Sequence, residues 1–300
     1  MHIDLSKIKS GFSDRLRAIT FHIALVKFKK KINYFSIYEK KNYQCPFRFV
    51  DYCKIKKIKI KKKKKNLNNP KNIIFTSYNS EINLKNCIEA NKFSETINNV
   101  ELYNQWAESY KEIYPNRHLQ KKINNINLPK EYISIHIRST DRVVKFKNIL
   151  SKIQLKDMIV DFHLKNFPLI VTKLITKYSN CKNVYISSDQ EYLKNQIIKK
   201  LNNKNFNVFY NNNVYKNSNY RRTKGEDFLV DLFCMSKSNF IISTVGGGVP
   251  YSAYLLSGRK NRVLNWSNEY NKFFPIRCIV VLIYFLKRTK TFLYDFLSFK

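Results

Sequence analysis

Apolar residues recur along this chain at two spacings, every second residue over short runs and every third or fourth over longer ones. After residue 130 the two alternate regularly. Ile133, Ile135 and Ile137 interleave with Tyr132, Ser134 and His136, and β-branched residues at this density predict a largely buried strand. It runs straight into Arg138-Ser-Thr-Asp141. Further strands are predicted at 183–189, 206–210, 239–243 and 262–266. Helices are predicted through about Leu201, over Glu226–Met235 and after the turn Thr244-Val-Gly-Gly-Gly-Val-Pro250. The helical region before Asn183 carries Pro168, which is expected to interrupt it. Strands alternating with helices predict an α/β fold with a parallel sheet covered on both faces. The strand ends at Arg138, Asp189 and Thr244 then share one rim, the edge where open α/β sheets bind ligands.

The first half is less regular. A weak strand at His2–Leu5, a loop with Gly11, a helix from about Ser13 with Leu16, Ile19, Ile23 and Val26 on one side, and a strand at 33–38 read as a β-loop-α-β unit. Ser13 is a plausible N-cap, and a loop of this kind can hold an anion, with Arg15 and Arg17 adding charge or simply lying on a solvated helix surface. Residues 54–65 read as a flexible lysine-rich loop, and 72–76 as a strand. Trp106, Tyr110, Tyr114 and Leu119 are spaced to line one apolar face of a mostly helical stretch. The polar run 124–128 ends at Pro129 and marks a boundary, giving an α/β domain at 1–128, a Rossmann-like domain at 129–270 and a helical tail at 271–300.

Composition changes this picture in one respect. The formal net charge is +35, from 56 Lys and Arg against 21 Asp and Glu, which invites an anionic partner. Abundant Lys, Asn, Ile, Tyr and Phe beside only 6 Gly point to a general compositional bias, so a specific nucleic-acid role is not expected. Peripheral contact with an anionic membrane is the better expectation. The 6 cysteines are scattered without a C-x-x-C pair, as packing thiols of a cytoplasmic protein would be. The amino terminus lacks the apolar core of a signal peptide, and the run Cys278–Leu286 is shorter than the ~20 residues that span a bilayer.

The predicted rim suits a negatively charged, hydroxyl-rich ligand such as a nucleotide sugar. Arg138 can clamp a diphosphate with its guanidinium fork. His136 could donate to phosphate or sugar, or be a satisfied histidine within the sheet. Asp141 could orient Arg138, and Gly246, Gly247 and Gly248 permit close approach of backbone amides to a ligand. The sequence contains no P-loop, G-x-G-x-x-G, H-E-x-x-H or G-x-S-x-G, and no Asp-x-Asp to hold a metal.

Four segments in order resemble the α-1,6-fucosyltransferase and nodulation fucosyltransferase group. His136-Ile-Arg138-Ser-Thr-Asp141 is similar to its H-x-R-x-T-D, and Gly11-Phe-Ser-Asp-Arg-Leu-Arg-Ala18 to its G-x-G-N-R-L. Val184-Tyr-Ile-Ser-Ser-Asp189 resembles its V-Y-[LI]-A-[TS]-D, and 231–244 its D-x-x-x-[LM]-S-x-[AS]-[DN]-F-x-[IV] stretch. Ser13 and Asp14 stand where the group has Gly and Asn, and Ser139 where a second Arg is common. The resemblance implies a GT-B-like architecture of two Rossmann-like α/β domains, the first on the acceptor side and the second binding the nucleotide sugar. It implies a GDP-fucose donor, a glycan acceptor, inversion, and no metal or other cofactor. Arg138 and His136 would be catalytic, on the diphosphate and fucose. Asp231 would read guanine or ribose, with Thr244, Gly246, Gly247, Asp189, Gly11 and Arg15 also at the donor. Asp14 and Glu226 are candidates for the base by position only. The expected location is the cytoplasm, at the inner face of its membrane, and the alternative reading is a non-catalytic basic adaptor.

Overall fold

The computed structural model describes residues 2–5, 11–29, 34–41, 47–56, 59–62, 73–74, 99–138, 155–189, 191–211, 225–244 and 248–265. They form two compact units that are discontinuous in sequence. One comprises 1–130 with 223–239 and 247–262, and the other 131–222 with 240–246 and 263–300. The expected division was contiguous at 128/129. It separates from the first unit two helices that pack within it, and its tail at 271–300 lies outside the described residues.

The first unit is built on β1 (His2–Asp4), α1 (Phe12–Lys29) and β2 (Tyr34–Tyr38), with α2 (Phe49–Tyr52), β3 (Cys53–Ile55), β4 (Lys59–Lys62) and β5 (Ile73–Ile74) following. Its parallel sheet has the order β4-β2-β1-β5. Residues 54–65 are therefore not a loop throughout: β3 pairs antiparallel with β6 (Ile113–Pro115), and β4 pairs with β2. Alternation explains it, since Cys53 and Ile55 are buried while Lys54 and Lys56 face water. The mostly helical stretch after 83 contains α3 (Asn99–Ser109), the strand β6 and α4 (Arg117–Asn124). Trp106, Tyr110 and Leu119 are core, but Tyr114 lies on β6 and is exposed, so the four do not share one helix face. The helices α7 (Gly225–Lys237) and α8 (Gly248–Leu256) complete this unit. Phe228 of α7 packs with Phe12 and Phe47, and Phe12 also stacks with Phe47 and Phe49, which fixes the start of α1.

The second unit carries β7 (Ile133–Ile137), α5 (Leu155–Tyr178), β8 (Asn183–Ser188), α6 (Glu191–Asn202), β9 (Asn207–Tyr210), β10 (Phe240–Ser243) and β11 (Arg262–Asn265). The sheet order is β11-β10-β7-β8-β9, with β7 in the middle and parallel to both neighbours. Ile133, Ile135 and Ile137 enter one core with Phe167, Val171 and Ile175 of α5 and Leu193 and Ile197 of α6. Pro168 does not interrupt α5, which runs through it for 24 residues. A helix-interior Pro costs roughly 3 kcal/mol, and burial of Phe167, Val171, Leu174 and Ile175 beside it offsets that at ~1.5–3 kcal/mol each. Among the described residues, no helix is long and apolar enough to cross a membrane.

Candidate functional site

In the second unit the predicted rim is assembled by hydrogen bonds that continue the sheet past its strand ends. Ser243 and Ser187 flank His136 in register. Beyond them, the Thr244 amide donates to the His136 carbonyl (3.0 Å) and the Asp189 amide to the Ile137 carbonyl (3.3 Å). Arg138, Asp189 and Thr244 are thereby brought to one edge. Thr244 is fully buried, and its hydroxyl works twice. Oγ1 accepts from the Arg138 amide at 3.2 Å and donates to the His136 carbonyl at 3.4 Å. The backbone of Arg138 is thus pinned by a neighbouring strand, while its side chain stays partly exposed.

His136 is buried, with Nδ1 3.3 Å from Ser243 Oγ. Burial, reinforced by the positive charge of Arg138, lowers its pKa to about 3. At neutral pH the imidazole is uncharged, with one nitrogen able to donate and the other to accept. Ser243 is the partner that sequence reasoning missed, although its register opposite His136 follows from aligning the two strand ends. Asp141, Gly246 and Gly247 lie outside the described residues.

The first unit treats its predicted residues differently. α1 begins at Phe12, so Ser13 is inside the helix and Gly11 precedes it, its carbonyl accepting from the Asp14 amide at 3.2 Å. Ser13 is not the N-cap. A Cβ on Gly248, at the start of α8, would lie 3.0 Å from Ser13 Cβ, so the first turns of two helices meet there without a side chain between them. Arg15 is neither solvated nor a free cation. It is fully buried, with Nη1 3.7 Å from Glu39 Oε1, and it donates to the carbonyls of Lys40 (2.7 Å) and Phe47 (3.4 Å). Glu39 in turn accepts from the amides of Phe49 and Val50 at the start of α2, at 3.0 and 3.2 Å. Burial raises the Glu39 pKa against these amides and the Arg15 charge. Nothing in the sequence paired these residues.

Asp231 is buried on α7, one turn after the buried Asp227. Glu226, at the start of α7, pairs with Lys122 and lies 3.4 Å from His118 Nε2. The Lys122 contact holds its carboxyl below the usual range, which makes it a weak base. Asp14 pairs with Arg17 at 3.6 Å. Among the described residues no three His, Cys, Asp or Glu side chains group as metal ligands.

No protein-family model matches the sequence, and no curated protein matches it. Solved structures do. POFUT1 in complex with GDP aligns with a TM-score of 0.52 at 8% identity, covering 88% of this chain and 98% of that one. The POFUT1 apo-form aligns at 0.50 and 9%, covering 87% and 97%. The fold is GT-B-like. NodZ alpha-1,6-fucosyltransferase soaked with GDP-fucose also aligns, at a TM-score of 0.48 and 13% identity over 85% and 92% of the two chains. A GT-B-like fold built from two α/β units accounts for the two parallel sheets, and identity this low bears on the fold alone.

Proposed function

We propose that the chain is a glycosyltransferase that moves fucose from GDP-fucose to a glycan acceptor, without a metal and with inversion at the sugar carbon. The observation that carries this reading is the edge of Arg138, Thr244 and Asp189 on a fold similar to that of POFUT1, which has been crystallised in complex with GDP. An acceptor hydroxyl attacks the anomeric carbon, the bond to the β-phosphate oxygen breaks, GDP leaves with the bonding pair, and the hydroxyl proton passes to the departing diphosphate or to solvent. Charge builds on the diphosphate in that step, and the Arg138 guanidinium neutralises it. The uncharged His136 donates a hydrogen bond to the diphosphate or fucose. Thr244 holds Arg138 in place and, with Gly246 and Gly247, lines the nucleotide, while Asp189 and Gly11 border it. Asp231 reads guanine or ribose. Arg15 braces its own unit from within, through the carbonyls of Lys40 and Phe47. On this reading the protein works in the cytoplasm, at the inner face of the membrane, and the adaptor reading is not favoured.

A thermal-shift series tests the proposal. GDP should stabilise the protein by about 2.7 kcal/mol when present at a hundred times its dissociation constant, and UDP or ADP should stabilise it less. A shift with UDP and none with GDP would overturn the donor assignment.

A further inference from the structure

Fewer than one residue in five of this chain is Lys or Arg, but nine of the twelve residues 54–65 are lysine and none is acidic. Compositional bias spreads lysines along a chain and does not concentrate them fourfold. Within this tract the structure describes residues 54–56 and 59–62. Lys54 flanks the buried Ile55 on β3, Lys56 follows, and both are exposed. The chain then enters β4, Lys59-Ile-Lys-Lys62, an outer strand of the parallel sheet β4-β2-β1-β5 among the described residues. One or two lysines suffice to keep an edge strand from pairing with another chain. This edge carries more charge than that role needs.

We propose that the lysine-rich strands β3 and β4 dock the protein on an anionic phospholipid surface. The residue types favour lipid over nucleic acid. The tract holds no arginine for bidentate phosphate recognition and no aromatic side chain on which bases could stack. It interleaves lysine with Ile55, Ile58 and Ile60. Such a surface attracts diffuse positive charge and is served by several lysines close together in the chain. Docking of this kind is independent of donor binding and of the reaction proposed above.

Flotation of the full chain with vesicles tests it, using phosphatidylcholine with 30% phosphatidylglycerol against phosphatidylcholine alone. Wild-type protein should float with the anionic vesicles only, and 0.5 M salt should release it. Replacing Lys54, Lys56, Lys59 and Lys61 by Gln should weaken binding at least about 100-fold, because each lysine near such a surface strengthens it roughly fivefold. The control changes Lys173, Lys199, Lys204 and Lys237 to Gln, removing the same charge from exposed helical and turn positions, and should retain most of the binding. Should the strand variant fail to fold, Lys54→Gln with Lys56→Gln should still weaken binding at least tenfold. Equal loss in the tract and control variants, or binding of RNA with no binding of anionic vesicles, would overturn the proposal. The GDP thermal shift should be the same in every folded variant.

Discussion

Two arginines, each predicted to hold an anion beside a parallel sheet, are used in opposite ways. Arg15 is sealed inside the first unit, facing Glu39 and two backbone carbonyls, so its charge is already spent on the fold. Arg138 has its amide fixed by Thr244 while its side chain remains partly exposed at the edge. The difference lies in the neighbours. A buried carboxylate converts an arginine into an internal tie, and a buried hydroxyl that holds the backbone amide leaves the arginine side chain partly exposed at the edge.

The comparison breaks most directly at Arg138. Arg138→Ala should lower fucosyl transfer by about 10³-fold while changing unfolding free energy by under about 1 kcal/mol. Transfer at the wild-type rate would sink the catalytic role. Arg15→Met should do the reverse, lowering stability by about 3–5 kcal/mol in urea titration because the buried Glu39 loses the opposite charge that faces it. Adding Glu39→Gln should recover part of that loss. An Arg15→Met protein of native stability that no longer binds GDP would erase the distinction.

Acid and base should also separate the two regions. His136 has its folded pKa lowered from 6.5 to about 3. Between those values the unfolded chain binds a proton that the folded one refuses, so stability is present above pH 6.5 and lost as pH falls. The loss is up to about 1.4 kcal/mol per pH unit. Buried His22, lowered to about 4, adds to the slope. Glu39 has its folded pKa raised, so its contribution is full below about pH 4.5 and declines as pH rises through the folded value. Urea titrations at several pH values should show His136→Asn flattening the acid limb and Glu39→Gln removing the opposite trend. A smaller effect sharpens the role of Thr244. Thr244→Val deletes both hydrogen bonds of its hydroxyl and should cost about 1–2 kcal/mol. Transfer should fall roughly tenfold through kcat rather than KM, and Thr244→Ser should restore it.

The strands at 183–188, 207–210 and 240–243 were legible because each is a short apolar run ending in polar residues, a pattern set by burial of the segment itself. So was the edge of Arg138, Asp189 and Thr244, since parallel strands in one sheet must end on the same side. The lysine tract was misread for a physical reason. Repulsion among lysines argues for a loop, but burial of Ile55 and backbone pairing of β4 with β2 outweigh it. Pro168 was misread likewise, because propensity is a local quantity and the core around Phe167 and Val171 is not.

Residue type and spacing along the chain were enough to set the α/β alternation, the central strand with its basic end and the excess of positive charge. Tertiary structure alone decided that Arg15 faces Glu39, that Ser243 faces His136, and that 223–239 and 247–262 pack with the first unit. These are encounters between residues far apart in the chain, and their energy depends on burial and distance, which no local pattern carries.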